Sequence, residues 1–521
     1  MEILLIIIWL FYLYFRTKKS LHMLQQNLYD DDHRYLKWIK KNFDKIMLGA
    51  EILQLFLVFF ILFIKKSNYI LILFGIIYFL LFIRSFGISH KEVVKKPLVV
   101  TARIKRLLCT ITLIYLIMIY FSYKLNINVY LILTILAYFQ YFIALLAVKI
   151  NKPVEKCVFL KFKRMALKKL NSMNNLKVVG ITGSYGKTSS KNILNEILNV
   201  KYNSITTPKN LNTPYGLIIT INNHLDKFDN VFIAEMGAYK IGEIKELCDL
   251  VKPKYGILTR IGKAHMELFG SQENIQKGKF ELIESLPSDG VAVLNSDDPL
   301  QVNYNLKNKV KVLWIGIDND ADFKASNINV SNIGTTFDLV IKGDKNKYKF
   351  ETKLLGYANI YNILAAIALG YEFGININQL QSAVKSVKPI EHRLELKKNG
   401  DIYYIDDAYN SNPVGSKMAL DVLNLMPGKK IIVTPGMIEL GSIEDEENTI
   451  FGENIADVCD EVILIGDKQT KAIQKGLKNK KYDEKHIYIL EDVIDAFDLI
   501  KKLKGKDTYV LLENDLPDVF K

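Results

Sequence analysis

The sequence predicts an α/β protein built on two largely parallel sheets and preceded by an α-helical transmembrane region. Apolar runs that approach the length of a membrane span are confined to residues 1–150. From about residue 176, short β-rich runs alternate with helical patterns, which is typical of βαβ units. In 177–190 (KVVGITGSYGKTSS), a strand runs into a glycine-containing loop and then into a helix. We therefore expect a P-loop doubly wound central domain at 176–388 and a Rossmann-like C-terminal domain at 391–521.

Five apolar runs in the first region predict about five membrane spans. These runs lie near 1–15, 48–64, 69–86, 107–123 and 128–149. Lys and Arg are concentrated in the 16–47 and 87–106 loops and after residue 149. The positive-inside rule then places the N-terminus outside and everything after residue 150 in the cytoplasm. The alternative for these runs is a set of buried core helices.

Charge and cysteine content narrow the possible partners. The formal charge is +14, but the basic residues mostly flank apolar runs, which predicts contact with acidic membrane lipids and no nucleic acid. Cys109, Cys157, Cys248 and Cys459 are widely separated, and none forms a C-x-x-C pair. A zinc site or disulfide framework is therefore not expected, and a reducing cytoplasm fits.

The loop at 182–188 is predicted to bind the phosphates of a nucleotide. Gly183 and Gly186 allow the backbone to wrap a phosphate, and the following helix N-terminus favours an anion. Lys187 can reach the β- and γ-phosphates, and the Thr188 hydroxyl can ligate Mg²⁺. The predicted nucleotide-binding residues here are Thr182, Gly183, Ser184, Tyr185, Gly186, Lys187 and Thr188. Because Ile181 occupies the first glycine position of the general P-loop pattern, an ordinary strand-to-helix turn is the alternative.

The short loop T-G-S-x-G-K-T resembles that of the Mur ligases, and later segments resemble the same family in order. They are 206–216 (TTPKNLNTPYG), 234–237 (AEMG), 261–271 (IGKAHMELFGS), 279–282 (KFEL), 295–299 (NSDDP), 392–395 (HRLE) and 405–413 (IDDAYNSNP). The resemblance covers about 176–450. It implies an ATP- and Mg²⁺-dependent ligase that forms an acyl phosphate on a carboxylate, which an amine then attacks.

The resemblance also implies roles for residues whose own signals are weak. Metal ligands would be Thr188, Glu235, His265 and Lys279, the last as a carbamate, and the catalytic residues would be Lys187, His265 and Lys279. Nucleotide contacts would add Asn295, Arg393 and Asp406. Glu235 ends an apolar strand, where doubly wound sheets place their sites. Without the resemblance, Glu235 is better explained as a solvated loop charge, His265 as a structural or surface residue, and Lys279 as an exposed lysine. Arg393 and Asp406 could be a hinge ion pair and a strand-end charge.

The resemblance also implies the partners, a muramoyl-peptide acceptor and a D-amino-acid dipeptide or other amine donor. IDDAYNSNP is most similar to the branch that joins D-alanyl-D-alanine to a UDP-muramoyl tripeptide. Three features depart from that branch. Membrane runs replace its soluble UDP-binding domain, so the acceptor is expected to be UDP-linked or lipid-linked, with the 16–47 and 87–106 loops as candidate holders. Ala358 replaces a histidine in 355–362 (LGYANIYN), and LLENDLPDVFK replaces a Lys-Gly-Ser ending.

Three other functions compete with this interpretation. A capsule ligase of the poly-γ-glutamate type would also work at a membrane, but IDDAYNSNP argues against it. A non-catalytic scaffold for wall synthesis predicts broken metal ligands, whereas all four candidates are present. An ATP-driven transporter would need signature elements that nothing in the sequence resembles.

Overall fold

The computed structural model describes residues 2–29, 34–63, 67–91, 97–408, 411–438 and 440–514. The chain forms two compact units, one within Met1–Lys161 and the other within Phe162–Asp515. The first unit is helical and the second is α/β. The α/β class is therefore confirmed for the part of the chain that carries the predicted site.

The first unit is a bundle of helices, the last of which continues past Lys161. They are α1 (Glu2–Gln26), α2 (Leu36–Lys41), α3 (Ile52–Phe63), α4 (Ser67–Lys91), α5 (Ala102–Lys124), α6 (Val129–Tyr138) and α7 (Gln140–Asn171). A short π-helix at Asp44–Leu48 precedes α3. The predicted 16–47 loop is therefore largely helical, because α1 extends to Gln26. Of the predicted 87–106 loop, residues 92–96 lie outside the described residues.

Two helices of the described chain, Asn68–Ser89 and Ala102–Lys124, are long and apolar enough to cross a membrane. A third span is possible if α6 and α7 are one span, bent by 78°. The α3 helix is shorter, and α1 does not contain a sufficiently long apolar stretch with few charges. By length and composition alone, the described residues thus contain two or three candidate spans, against the roughly five predicted from the sequence.

Arg16, predicted to lie in a basic loop, is instead buried in this bundle. Its guanidinium donates to the carbonyls of Ala137 (2.8 Å), Tyr138 (2.9 Å) and Ile46 (3.0 Å), and it pairs with Glu51 at 3.3 Å. The break between α6 and α7 frees carbonyl groups that an intact helix would satisfy internally. Arg16 therefore stabilises that break, since unpaired buried carbonyls are costly.

The central sheet of the second unit has nine strands in the order β2-β3-β1-β4-β5-β6-β7-β8-β9. They are β1 (Lys177–Thr182), β2 (Ser204–Thr206), β3 (Val231–Glu235), β4 (Tyr255–Leu258), β5 (Val291–Asn295), β6 (Lys311–Gly316), β7 (Phe323–Ser331), β8 (Gly334–Ile341) and β9 (Lys347–Thr352). Pairing is parallel from β2 to β7 and antiparallel from β7 to β9. The sequence did not indicate this antiparallel extension.

Helices cover this sheet and bury its apolar strands. They are α8 (Lys187–Leu198), α9 (Pro214–Asn223), α10 (Glu243–Val251), α11 (Met266–Phe269), α12 (Gln272–Glu284), α13 (Pro299–Val302), α14 (Tyr357–Glu372) and α15 (Ile377–Ser386). Strands β1 and β3 are almost entirely buried, as expected for parallel strands covered on both faces. Residues of β1, α8 and α14 share one apolar core, which fixes the loop between β1 and α8.

The second sheet has six strands in the order β10-β11-β15-β12-β13-β14. They are β10 (Glu395–Asn399), β11 (Ile402–Asp407), β12 (Lys430–Thr434), β13 (Glu461–Ile465), β14 (Ile487–Leu490) and β15 (Thr508–Glu513). Only β10 is antiparallel to its neighbour. The associated helices are α16 (Pro413–Asn424), α17 (Glu444–Ala456), α18 (Lys471–Asn479) and α19 (Val493–Leu503).

Strand β1 lies between β3 and β4, so the chain leaves it toward one side of the sheet and later returns on the other. Such a switch point opens a crevice at the carboxyl ends of parallel strands, where α/β proteins bind ligands. The loop 183–186 and Glu235 both lie at this edge. The fold thus brings together two features that are about 50 residues apart in the sequence.

Candidate active site

The loop after β1 can be built only with glycine at two positions. Gly183 has φ +148°, and a Cβ there would lie 1.9 Å from Thr259 Oγ1. Gly186 has φ +79°, and a Cβ there would lie 2.7 Å from Asn362 Oδ1. These positive φ values and close approaches exclude larger residues without displacement of the neighbours. Both glycines that the sequence singled out are therefore required by the geometry of the turn.

The first turn of α8 provides a site for an anion. Gly186 is its N-cap residue and offers no side chain to the first N–H groups of the helix. Lys187 Nζ donates to the carbonyls of Gly183 at 2.8 Å and Ser184 at 3.2 Å, so the ammonium group lies against the backbone of the loop. Burial lowers the pKa of Lys187 to about 8, with the charge of Arg393 acting in the same direction and that of Glu235 opposing it. A bound phosphate would stabilise the charged form.

Other predicted loop residues hold the turn in place. The Thr182 hydroxyl donates to the Met236 carbonyl at 2.9 Å. The Ser184 backbone N–H donates to the Arg260 carbonyl at 2.9 Å, and the ring of Tyr185 lies close to Gly262. These contacts join the loop to the segment after β4. Thr182, Ser184 and Tyr185 thus shape the phosphate loop in this structure.

Thr188 and Glu235 meet as the sequence predicted. The Thr188 hydroxyl donates to Glu235 Oε2 at 3.1 Å, and Asn212 Nδ2 donates to Oε1 at 3.0 Å. Hydroxyl and carboxylate oxygens are the donors that Mg²⁺ prefers, so this pair fits that ion. Burial would raise the pKa of Glu235, but the charge and hydrogen bond of Lys191, with smaller contributions from Lys187 and Asn212, lower it. The carboxylate is therefore ionised and ready to bind a cation.

Lys191 is the residue that sequence reasoning missed here. Its ammonium pairs with Glu235 Oε2 at 2.9 Å, and both side chains are 2% exposed. It also donates to the carbonyls of Thr207 and Lys209. Its position four residues after Lys187, on the same helix face, was the available signal.

Lys279 is buried rather than exposed, which contradicts the alternative interpretation of that residue. Its side chain donates to the Ala238 carbonyl at 3.3 Å, and Nζ lies 5.3 Å from the ring centre of Phe269. Burial holds the pKa of Lys279 well below its usual range, and the charge of Lys187 adds to this effect. A neutral amine is the form that can react with CO₂, because its lone pair is free.

His265 lies at the start of α11. It precedes α11 with φ +57°, and its ring centre is 4.7 Å from that of Tyr239. The Phe269 N–H donates to the His265 carbonyl at 3.1 Å, so both lysine and histidine border α11. Within the described ranges, no three His, Cys, Asp or Glu side chains form a metal-binding group. Thr188 with Glu235 is thus the part of the predicted metal set that the fold brings into direct contact.

A cavity of about 360 Å³ lies where the central domain meets α16. Its lining includes Arg260, Tyr361 and, from α16, Asp421. The Tyr361 hydroxyl donates to Asp297 at 2.9 Å. Asn295 Oδ1 accepts the Asp297 N–H at 2.9 Å, so Asn295 shapes the turn that positions Asp297.

The two predicted nucleotide contacts beyond residue 390 have different surroundings. The Asp406 carboxylate lies 2.8 Å from His392 Nδ1 and 2.8 Å from Lys397 Nζ. Burial would raise the pKa of Asp406, but the hydrogen bonds from Lys397 and His392 lower it. Asp406 therefore organises the start of the second sheet, as a strand-end charge would. Arg393 lies close enough to Lys187 and Asp407 for its charge to lower the pKa of both.

Comparison with known proteins identifies related domains and related enzymes. The Mur ligase middle domain matches residues 181–370, and the Mur ligase glutamate ligase domain matches residues 392–512. The chain is 32% identical over 343 residues to UDP-N-acetylmuramoyl-tripeptide–D-alanyl-D-alanine ligase of Bacillus subtilis, covering 65% of this chain and 72% of that protein. It is 33% identical to the same ligase of Escherichia coli over 303 residues, 57% of this chain and 66% of that one.

Solved structures give the same result for the fold. MurF ligase from Thermotoga maritima in complex with ADP superposes with a TM-score of 0.62 at 26% identity, covering 69% of this chain and 81% of that one. MurF from Acinetobacter baumannii gives a TM-score of 0.62 at 23% identity, covering 68% and 77%. The helices before residue 181 lie outside both matched domains.

Proposed function

Because this chain belongs to the Mur ligase family, we propose that it joins D-alanyl-D-alanine, or a related amine, to the carboxyl group of a muramoyl peptide. It is an ATP- and Mg²⁺-dependent ligase of peptidoglycan precursor synthesis. The observation that carries the proposal is the geometry of the loop at 183–188. Its two glycines, the Lys187 ammonium and the Thr188–Glu235 contact suit a nucleoside triphosphate with its cation. The names of the related ligases support the choice of donor and acceptor.

In the first step, the acceptor carboxylate attacks the γ-phosphorus of ATP, the bond from this phosphorus to the β,γ-bridging oxygen breaks, and an acyl phosphate and ADP form. The N–H groups at the start of α8 and the Lys187 ammonium balance the negative charge that crowds the transferred phosphoryl group. Thr188, Glu235, His265 and a carbamylated Lys279 would hold Mg²⁺, which neutralises phosphate charge when bound. Burial of Lys279 beside the Ala238 carbonyl supports that modification.

The nucleoside would occupy the cavity beside Tyr361, with Asn295 and Arg393 at its borders. The cavity is linked to the loop through Arg260, whose carbonyl accepts the Ser184 N–H. It is linked to α8 through Asn362, which follows the lining residue Tyr361 and accepts the Ser190 hydroxyl. Its volume of about 360 Å³ is ample for a base and ribose. In the second step, the amine attacks the acyl carbon and phosphate leaves.

We also propose that the helical unit anchors this ligase in the cytoplasmic membrane as a multi-pass protein, with its catalytic unit in the cytoplasm. Exposed large apolar side chains on several helices, including Phe11, Phe59 and Leu116, suit contact with lipid. An external N-terminus requires an odd number of spans, which the three-span count satisfies. Protease added to intact spheroplasts should then leave the region after residue 171 uncut, and cleavage there would contradict this orientation.

A lipid-linked acceptor is the finer proposal, since membrane helices precede the ligase domains. ADP release should be measured in detergent with soluble UDP-muramoyl tripeptide and with its lipid-linked counterpart, each with D-alanyl-D-alanine. Equal turnover of the soluble acceptor would refute the lipid requirement but not the ligase activity.

The ligase activity itself is tested by Lys187→Ala. This change should abolish ADP release with either acceptor while membrane insertion remains, because the charge across the loop is lost. Lys245→Ala, which removes an exposed surface ion pair with Asp249, is the matched control and should retain activity. Normal turnover by Lys187→Ala would reject the nucleotide assignment.

A further inference from the structure

One ion pair joins the central domain to the C-terminal domain beside the phosphate loop. Lys263, in the segment after β4, donates from Nζ to Glu447 Oε1 at 2.8 Å, and Glu447 lies in the first turn of α17. The Glu447 side chain is 10% exposed, whereas that of Lys263 is 53% exposed. A carboxylate buried to this extent needs a partner, and the Lys263 ammonium supplies one from the other domain.

The Lys263 side of this pair is bonded to the phosphate loop. Gly262, the residue before Lys263, donates its N–H to Ser184 Oγ at 3.0 Å, and its carbonyl accepts the Ser184 hydroxyl at 3.0 Å. The Thr259 hydroxyl donates to the Tyr185 carbonyl at 2.5 Å. Movement of Lys263 is therefore coupled to the loop through Gly262 and Ser184.

The Glu447 side is fixed to the body of the C-terminal domain. The next residue, Asn448, accepts the Met437 N–H at 2.9 Å and donates to the Met437 carbonyl at 3.0 Å, which ties α17 to the segment after β12. Helices α17 and α18 are in close contact, since a Cβ on Gly452 would lie 2.2 Å from the Ile473 carbonyl oxygen. Glu447 thus moves with its domain and not separately from it.

A side chain of the phosphate loop also lies close to this pair. The ring of Tyr185 packs on Gly262, where an added Cβ would lie 2.3 Å from Tyr185 Cε2. Burial raises the pKa of the Tyr185 hydroxyl, and the negative charge of Glu447 adds to this rise. The Glu447 carboxylate on α17 therefore acts on the phosphate loop as well as on Lys263.

The connection between the two domains contains backbone strain in the arrangement described. It runs from the end of α15 at Ser386 to the start of β10 at Glu395. Two of its residues carry side chains and yet have positive φ, His392 at 58° and Leu394 at 50°. Such conformations are costly for residues other than glycine and persist only where surrounding contacts hold them. Contacts between the domains, this ion pair among them, offset that cost.

We propose that the Lys263–Glu447 pair makes the shape of the phosphate loop depend on the position of the C-terminal domain. When the pair is formed, Gly262 is held against Ser184 and the loop keeps the geometry described above. When the domain moves away to admit substrates or release products, the pair breaks and the loop loses that support. Lys263 and Glu447 are positioning residues, since they act through Ser184 and Tyr185. The proposal rests on the proposed ligase function and adds two residues to it.

Charge reversal in the full-length enzyme in detergent tests this coupling. ADP release is measured against ATP concentration, with D-alanyl-D-alanine and either UDP-muramoyl tripeptide or its lipid-linked counterpart saturating, to obtain kcat/KM for ATP. Lys263→Glu places two carboxylates together and should lower kcat/KM more than about 10-fold. The reversed pair, Lys263→Glu with Glu447→Lys, restores the attraction and should recover kcat/KM to within about threefold of wild type.

Neutral variants provide a second measurement, which decides the matter if the reversed pair fails to fold. Lys263→Met and Glu447→Gln should each lower kcat/KM for ATP about 2- to 5-fold, the range for a half-exposed ion pair, and their losses should not add in the double variant. The difference from wild type should shrink as KCl rises from about 0.05 to 0.5 M, because salt screens the pair. A purely structural role would lower the urea unfolding midpoint, whereas these variants should keep the wild-type midpoint.

Lys311→Glu is a matched control within the central domain. Lys311 pairs with Glu372 at 2.8 Å, and its side chain is 55% exposed, which closely matches Lys263. Lys311 begins β6, at the end of the parallel strands opposite the phosphate loop. Lys311→Glu should therefore leave kcat/KM for ATP within about twofold of wild type.

Three results would overturn the proposal. The first is a reversed pair that is no more active than Lys263→Glu although its urea midpoint matches wild type. The second is a kcat/KM for ATP in Lys263→Met that equals the wild-type value at about 0.05 M KCl. The third is full addition of the losses in the neutral double variant. Absence of ADP release by wild type with either acceptor would instead reject the ligase function.

Discussion

The ion pair between Lys191 and Glu235 makes a sharp prediction about Lys191→Met. The two charged atoms are 2.9 Å apart and both side chains are 2% exposed. The substitution keeps most of the side-chain volume but leaves the Glu235 carboxylate buried without its main counter-charge. Breaking a buried pair from one side costs about 3–5 kcal/mol, so the free energy of unfolding should fall by that amount.

Urea unfolding of the full-length protein in detergent measures this change. The double variant Lys191→Met with Glu235→Gln removes both charges and should lose less than the sum of the single variants, since neither charge is stranded. Lys245→Met, at an exposed pair, should change stability by less than about 1 kcal/mol. A loss below about 1 kcal/mol in Lys191→Met would refute the claim that Lys191 neutralises Glu235.

Two further predictions concern Gly183, in the loop after β1, and Asp407, which ends β11 beside Glu513. Gly183→Ala should abolish ATP-dependent turnover, measured as ADP release, because its Cβ would lie 1.9 Å from Thr259 Oγ1; activity above about a tenth of wild type would contradict the strained turn. Asp407 has its pKa raised from 3.8 to about 6, so its stabilising protonated form is present below pH 4 and lost as pH rises through 6. Wild type should therefore lose about 1–3 kcal/mol of stability relative to Asp407→Asn between pH 4 and 7 in urea unfolding, and a constant difference would contradict the raised pKa.

The sequence predicted those parts of the site that depend on local pattern. Gly183, Gly186 and Lys187 lie in one short loop whose strand and helix are both evident from periodicity. Glu235 was predicted from its strand-end position together with the family resemblance, and this strand end lies next to the loop after β1.

The residues missed from the sequence depend on contacts between distant segments. Lys191 looks like an ordinary helix lysine until β3 brings Glu235 to it. Asp407 and Glu513 are about 100 residues apart and become partners only because β15 inserts beside β11. The antiparallel strands β7 to β9 were missed for a similar reason, since pairing direction depends on connections and not on composition.

The described residues contain fewer candidate membrane spans than the hydrophobic runs predicted, because such runs do not report where a helix ends. The α1 helix continues through Arg16 to Gln26. The Arg16 side chain donates to the carbonyls of Ala137 and Ile46, which are distant in the sequence and could not be predicted from it. A charge was thus assigned to a loop although it lies in the bundle. Hydropathy alone cannot distinguish the two cases.

Strand β15 is the latest strand of its sheet in chain order but occupies an interior place between β11 and β12. During synthesis those two strands must wait, with unsatisfied hydrogen-bonding edges, until the segment Thr508–Glu513 emerges. A premature stop codon before Thr508 would therefore yield an aggregation-prone product rather than a slightly shortened enzyme. Quality control of nascent chains should act on this fold late, when most of the polypeptide has already been made.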